Sequence, residues 1–318
     1  MTRPDLPGST QADVRDSTQP DHHVPTGVPL VAAFVSGSLV ALQQRINGDL
    51  GESLDDPVLA AVVSFGTGLV VVSLLLAVRR GSRAGLPALR GVPWWSRIGG
   101  LGGASLVAVG ATAAPKIGVA LLTVGLVAGS TVGGLLVDRI GLAPGGVRHV
   151  TGPRLVGALL CLGAIGISAA EGVRAASPVL LVLVVVAGGL ISFQQAVNGR
   201  VRHVTDATVA TFLNFVVGTT GLLLGLGLRE LLVGVHVQAW PDVGHFYLYL
   251  GGPFGAAFVA VAALVVRPLG VLRLGLTVTA GQLLGAVLID LDRGVAATTL
   301  AAVLLTMLAV VVSGRGLR

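Results

Sequence analysis

Ten apolar runs, each about the length that carries a helix across a bilayer, dominate this chain: 28–46, 58–78, 98–114, 117–137, 155–170, 178–197, 208–228, 246–266, 268–289 and 295–312. They leave lipid as the solvent for most of the molecule. Of the 318 residues 53% are hydrophobic and only 11% charged, whereas soluble domains carry about a quarter charged residues. Forty-seven glycines are interleaved with Val, Leu and Ala, the mixture that lets helices approach closely in lipid. The expected fold is an all-α integral membrane bundle with the lipid bilayer as its first partner.

The net charge of +6 does not point to nucleic acid, because the arginines are scattered through short loops and form no single basic face. Cys161 has no second cysteine, so neither a disulfide nor a cysteine metal site is available. Residues 1–27 hold Pro, Asp, Ser, Thr and Gln without apolar periodicity or the layout of a signal peptide, and are expected to form a disordered cytoplasmic tail. His22 and His23 in that tail cannot supply the three or four converging ligands of a metal site.

Charge orients the spans. Arg79, Arg80, Arg83, Arg90 and Arg97 follow the second run, while Asp49, Glu52, Asp55 and Asp56 follow the first. With the N-terminus inside, 16 of the 21 basic residues fall on the cytoplasmic side, and only Arg45, Lys116, Arg174, Arg229 and Arg293 fall outside. The positive-inside rule therefore predicts cytoplasmic N- and C-termini and a multi-pass protein of the cytoplasmic membrane.

The chain also repeats itself. QQRINGDLG from Gln43 matches QQAVNGRV from Gln194, SFGTG from Ser64 matches NFVVG from Asn214, and Trp94 with Trp95 matches Phe246 with Tyr247. The register continues through Gly99, Gly100 and Gly103 against Gly251, Gly252 and Gly255, then Ala128-Gly129 against Ala280-Gly281, and Asp138 against Asp290. Two units follow, 28–174 and 175–318, each of five spans. An odd number of spans sends the second unit through the membrane with opposite polarity, so the expected architecture is ten transmembrane helices as two inverted five-helix repeats. Many secondary transporters alternate access on this plan; the other reading is duplication of a purely structural module. Gly125, Gly129 and Gly133, with their counterparts Thr277, Gly281 and Gly285, give each fourth helix a small-residue stripe. Such stripes serve tight helix contact within one chain or across a homodimer, a glycine-lined pore being the third alternative.

On these residues the chain resembles the drug/metabolite transporter superfamily, in its branch of YdcZ-like inner-membrane exporters. The resemblance rests on Q-x-x-x-N-G from Gln43 and from Gln194, F-x-x-G from Phe65 and from Phe215, the glycine-rich third helices behind aromatic pairs, and AGQ…LID from Ala280 to Asp290. It covers nearly everything after residue 27, and departs in the first fourth helix, where Ser130 and Thr131 stand at the places of Gln282 and Leu283. It implies a ten-helix transporter fold in the inner membrane and somewhat favours export; it names no substrate.

Chemistry is sparse. No run interior holds Asp or Glu, the six histidines fall in tails or loops, and neither a zinc helix nor a nucleophile turn nor a nucleotide-binding loop occurs. An enzyme and an ATP-driven pump are not expected, and no cofactor is implied. The embedded polar groups are amides. Gln43, Gln44 and Asn47 share one helix face, as do Gln194, Gln195 and Asn198, and in hydrocarbon each amide must find a partner. Two readings stand for these clusters: gates or substrate contacts along a central path, or caps and ties between helices. Gln282, Asn214 and Ser64 join Gln43, Asn47, Gln194 and Asn198 as candidates, with Gln282, placed mid-membrane, the leading one. Arg45, whose counterpart is Ala196, either snorkels to Asp49 or Glu52 or attracts anions at the outer mouth. Asp138 and Asp290 are expected to solvate or cap, and Trp94, Trp95, Phe246 and Tyr247 to anchor at the interface. The expected function is secondary transport of a small metabolite or xenobiotic by alternating access. A scaffold or assembly subunit and a passive channel are the alternatives.

Overall fold

The structure is a computed structural model that describes residues 27–169, 177–233, 240, 243–289 and 297–315. The tail to residue 26, with His22 and His23, lies outside the described residues, as do Arg174, His236, Asp290 and Arg293.

Every described regular element is helical. The first unit comprises α1 (Gly27–Leu54), α2 (Pro57–Val78), the short α3 (Arg80–Gly85) and α4 (Trp94–Arg97), then α5 (Gly100–Arg139) and α6 (Gly152–Ala169). The second comprises α7 (Pro178–Val204), α8 (Ala207–Val233), α9 (Gly251–Leu269), α10 (Val271–Ile289) and α11 (Ala297–Gly314). Among the described residues, six helices are long and apolar enough to cross a membrane: α1, α2, α7, α8, α9 with its preceding turn, and α10. Val70, Leu74 and Val78 of α2 and Leu224, Leu228 and Leu231 of α8 are exposed, apolar surfaces that suit lipid and not water.

Local chemistry sets the helix starts. Asp56 caps α2 by accepting from the Val58 and Leu59 amides, both at 3.0 Å, with Pro57 in the first helical position. Asp206, its counterpart 150 residues on, caps α8 by accepting from Thr208 and Val209 at 2.7 and 3.1 Å.

The third and fourth expected spans are one helical run, α5, where the sequence predicts two helices. A straight helix of 40 residues would separate its ends by about 60 Å. Yet the Arg200 guanidinium sits 5.3 Å from the Trp95 ring centroid, just before α5, and donates to the Leu142 carbonyl, just after it, at 3.0 Å. Gly110 also lies within reach of the Leu122 side chain. The run therefore doubles back between Gly110 and Leu122, and both arms lean on α7. At the equivalent place in the second unit the chain breaks outright at Gly270, whose φ is +76°. That break is held by groups of the first unit. Asp138, fully buried, accepts from the Val271 and Leu272 amides at 2.8 and 3.2 Å and pairs with Arg154, while Arg148 donates to the Arg267 and Pro268 carbonyls at 2.7 and 2.9 Å. Asp138 thus caps α10.

The small-residue stripes lie inside the chain. A methyl on Gly129 would collide with the Val185 carbonyl of α7, and one on Gly281 with the Phe34 carbonyl of α1. Each fourth helix is therefore seated on the first helix of the other unit, with backbone against backbone.

Candidate functional site

The two amide clusters meet the glycine-rich third helices of the opposite units. On one seam Gln43 and Asn47 of α1 face Gly255 and Gly251 of α9, and the Ser64 backbone of α2 faces Gly252. On the other, Gln194 and Asn198 of α7 face Gly103 and Gly99, and the Asn214 backbone of α8 faces Gly100. The absence of a Cβ at Gly99, Gly103, Gly251 and Gly255 lets the amide groups lie against bare backbone. Between the seams the Phe65 and Phe215 rings stack at 5.2 Å, tilted 38°, each over the glycine of the other's helix, Gly218 and Gly68.

Partners for these amides are incomplete. Asn198 donates to Asn214 Oδ1 at 2.8 Å. Asn47 Oδ1, Ser64 Oγ, Gln194 Oε1, Gln195 Oε1 and Asn214 Nδ2 are buried with no hydrogen-bond partner, and they make up five of the ten such side-chain atoms among the described residues. An unpartnered buried polar atom costs about 1–3 kcal/mol, and half of those among the described residues are concentrated on α1, α2, α7 and α8 at these seams.

The seams differ in openness. Gln194, Gln195 and Asn198 are buried, whereas Gln43 and Asn47 are half-buried and Gln44 is exposed. A cleft of about 370 Å³ opens between α1 and α10, lined by Gln44, Arg45, Gly48, Asp49 and Glu52 among others. At the equivalent place on α7 the space is filled: Gly199 is pressed against Val266 and Pro144, while among the described residues nothing lies within 4 Å of the place of a Cβ on its counterpart Gly48.

Arg45 pairs with Asp49 at 3.2 Å, one turn away. Gln282 donates to Gln44 Oε1 at 2.9 Å, bridging α10 to α1 beside the cleft, so the leading candidate engages another amide. Gln44 as its partner went unnoticed in the sequence; its position one residue from Gln43 on an exposed face was the available signal. Also missed was the ion pair of Arg229 with Asp56, in which Arg229 Nη1 donates to Oδ1 at 3.0 Å and Nη2 to Oδ2. Burial alone would raise the Asp56 carboxyl; the hydrogen bonds from Arg229 and two amides outweigh it and hold it below the ordinary carboxylate range. His203, expected in a loop, occupies the last turn of α7. No cluster of three or more metal-ligating side chains occurs among the described residues. The seam side chains named here offer neutral hydrogen-bond donors and acceptors and carry no charge.

The model of the family described as "Putative inner membrane exporter, YdcZ" matches residues 28–167 and, a second time, residues 179–316. A solved structure titled only "Crystal structure of protein" superposes with a TM-score of 0.65 over 90% of this chain and 95% of that one, at 21% identity, which shows a shared fold. No curated protein matches.

Proposed function

Because the chain belongs to the YdcZ family of inner membrane exporters, its two fused units each matching the family model, we propose that it is a secondary transporter that exports a small polar metabolite or xenobiotic by alternating access. The observation that carries this reading is the set of unpartnered amide and hydroxyl atoms on two equivalent seams, one beside an open cleft and the other sealed. An alternating carrier needs such groups to exchange partners between states and substrate.

Ten crossings in two inverted repeats fit the contacts. With the N-terminus inside, one end of the bundle gathers Arg79 with Thr208, Arg200 with Trp95 and Leu142, Asp138 with Arg154, and Arg273 beside Gly314. The other end gathers Asp56 with Arg229 and Arg45 with Asp49. These groupings agree with the positive-inside assignment, under which the open cleft faces outside and the sealed seam inside. Gln43, Asn47, Ser64 and Gln282 then serve the outer path, and Gln194, Asn198 and Asn214 the inner one, with Arg45 at the outer mouth.

The first test is thermal unfolding of the purified protein in mild detergent against cationic, anionic, zwitterionic and neutral metabolites, since a ligand of the folded state raises stability by mass action. The proposal expects one chemical class to stabilise the wild type and not Gln282→Ala. No shift with any class contradicts it.

A further inference from the structure

The two ends of the α2–α8 pair are built from the same parts and are in different states. Asp56 and Asp206 are counterparts at an offset of 150, each capping its own helix, and Arg79 and Arg229 are counterparts at the same offset, each at the far end of its helix. The helices run antiparallel, so each arginine comes to the aspartate of the other unit. At one end the contact is made: Arg229 grips Asp56, which is 4% exposed. At the other it is not. Arg79 is exposed and reaches the Thr208 hydroxyl, at 3.5 Å, two residues from Asp206, and among the described residues neither Arg79 nor Asp206 has an ion pair. Midway between the ends lies the Phe65–Phe215 contact with its glycine sockets, where two helices can tilt against each other without losing their central packing.

We infer that Asp56–Arg229 and Asp206–Arg79 are alternative latches at opposite ends of the α2–α8 pair, formed one at a time as the protein changes state. The inference rests on the alternating-access reading. It adds that the second state is the structure with its two units exchanged. Asp206–Arg79 closes as Asp56–Arg229 opens, and the space beside Gly199 opens as that beside Gly48 fills. No substrate need bind for the exchange, since each state keeps one ion pair.

The test is a pair of spin-label distances in the full chain reconstituted in lipid, on a Cys161→Ala background. Labels at Ser53→Cys and Leu231→Cys read the end held by Asp56, and labels at Val78→Cys and Val204→Cys read the end at Asp206. Arg229→Gln is expected to lengthen the first distance and shorten the second in the same sample. Adding Asp206→Asn to Arg229→Gln is expected to abolish the shortening, and the exchanged pair Asp56→Arg with Arg229→Asp to restore the wild-type distances. Lengthening at the first end with no change at the second overturns the latch, as does shortening that survives Asp206→Asn. Flux measurements keep the two proposals apart. Saturable transport without coupled distances leaves a carrier and removes the latch, whereas coupled distances without transport of any metabolite class leave the latch and remove the carrier.

Discussion

Phe65 and Phe215 stack across the centre of the molecule at 5.2 Å, and each ring fills the notch left by the other helix's glycine, Gly218 for Phe65 and Gly68 for Phe215. Reciprocity of this kind, in which residue i meets j′ and i′ meets j, is what a two-fold relation between units produces. It recurs where Gly129 meets Val185 and Gly281 meets Phe34, and where Gly100 meets Asn214 and Gly252 meets Ser64. Family membership states that two units are fused; these contacts show how each is completed by the other.

Removing either ring empties a packed centre. Phe65→Ala and Phe215→Ala are each expected to cost on the order of 3 kcal/mol. The double variant should cost less than the two together, because they share one contact. Thermal unfolding in detergent measures all three.

Glycines on the fourth-helix stripes differ from glycines elsewhere on the same helices. Gly129→Ala and Gly281→Ala place a methyl against a backbone carbonyl of the neighbouring helix, whereas among the described residues nothing lies within 4 Å of a methyl placed on Gly275 of α10. The first two are expected to lower the unfolding temperature sharply. Gly275→Ala is expected to leave it unchanged or raise it slightly, by the helix propensity of about 1 kcal/mol.

Much of this was legible in the sequence. The repeat and the stripes were written in spacing, because helix periodicity and glycine placement are local. The hidden part depends on pairs far apart in the chain. Asp56 and Arg229 are 173 residues apart, and nothing local says that one reaches the other. Gln282 looked solitary at mid-membrane for the same reason, since its partner Gln44 is on α1. The fold-back of α5 required contacts at both of its ends, and only the structure supplies them.

The Asn198–Asn214 bond has a defined coupling. Asn198→Ala leaves the Asn214 amide with neither of its groups partnered, since Nδ2 already lacks one. A double-mutant cycle with Asn214→Ala is expected to give a coupling of about 1 kcal/mol, the scale of interhelical hydrogen bonds in membranes.

Acid should reach Asp56 late. Its carboxyl is held below its ordinary 3.8 in the folded protein, so the ionised form contributes stability above the unfolded value, and that contribution is lost as pH falls through the lower folded value. Unfolding temperature from pH 7 to 5 should therefore fall no more in the wild type than in Asp56→Asn. The advantage of the wild type over that variant should shrink only below about pH 4.

The account stands or falls on whether the chain carries a solute across a membrane. The most direct measurement is counterflow in proteoliposomes: vesicles preloaded with an unlabelled metabolite of the class that stabilises the protein, diluted into a trace of the labelled compound. A carrier is predicted to accumulate label transiently above equilibrium, with saturation, and to lose the overshoot in Asn47→Leu with Asn198→Leu. Label that only equilibrates, without overshoot or saturation, would contradict transport by alternating access.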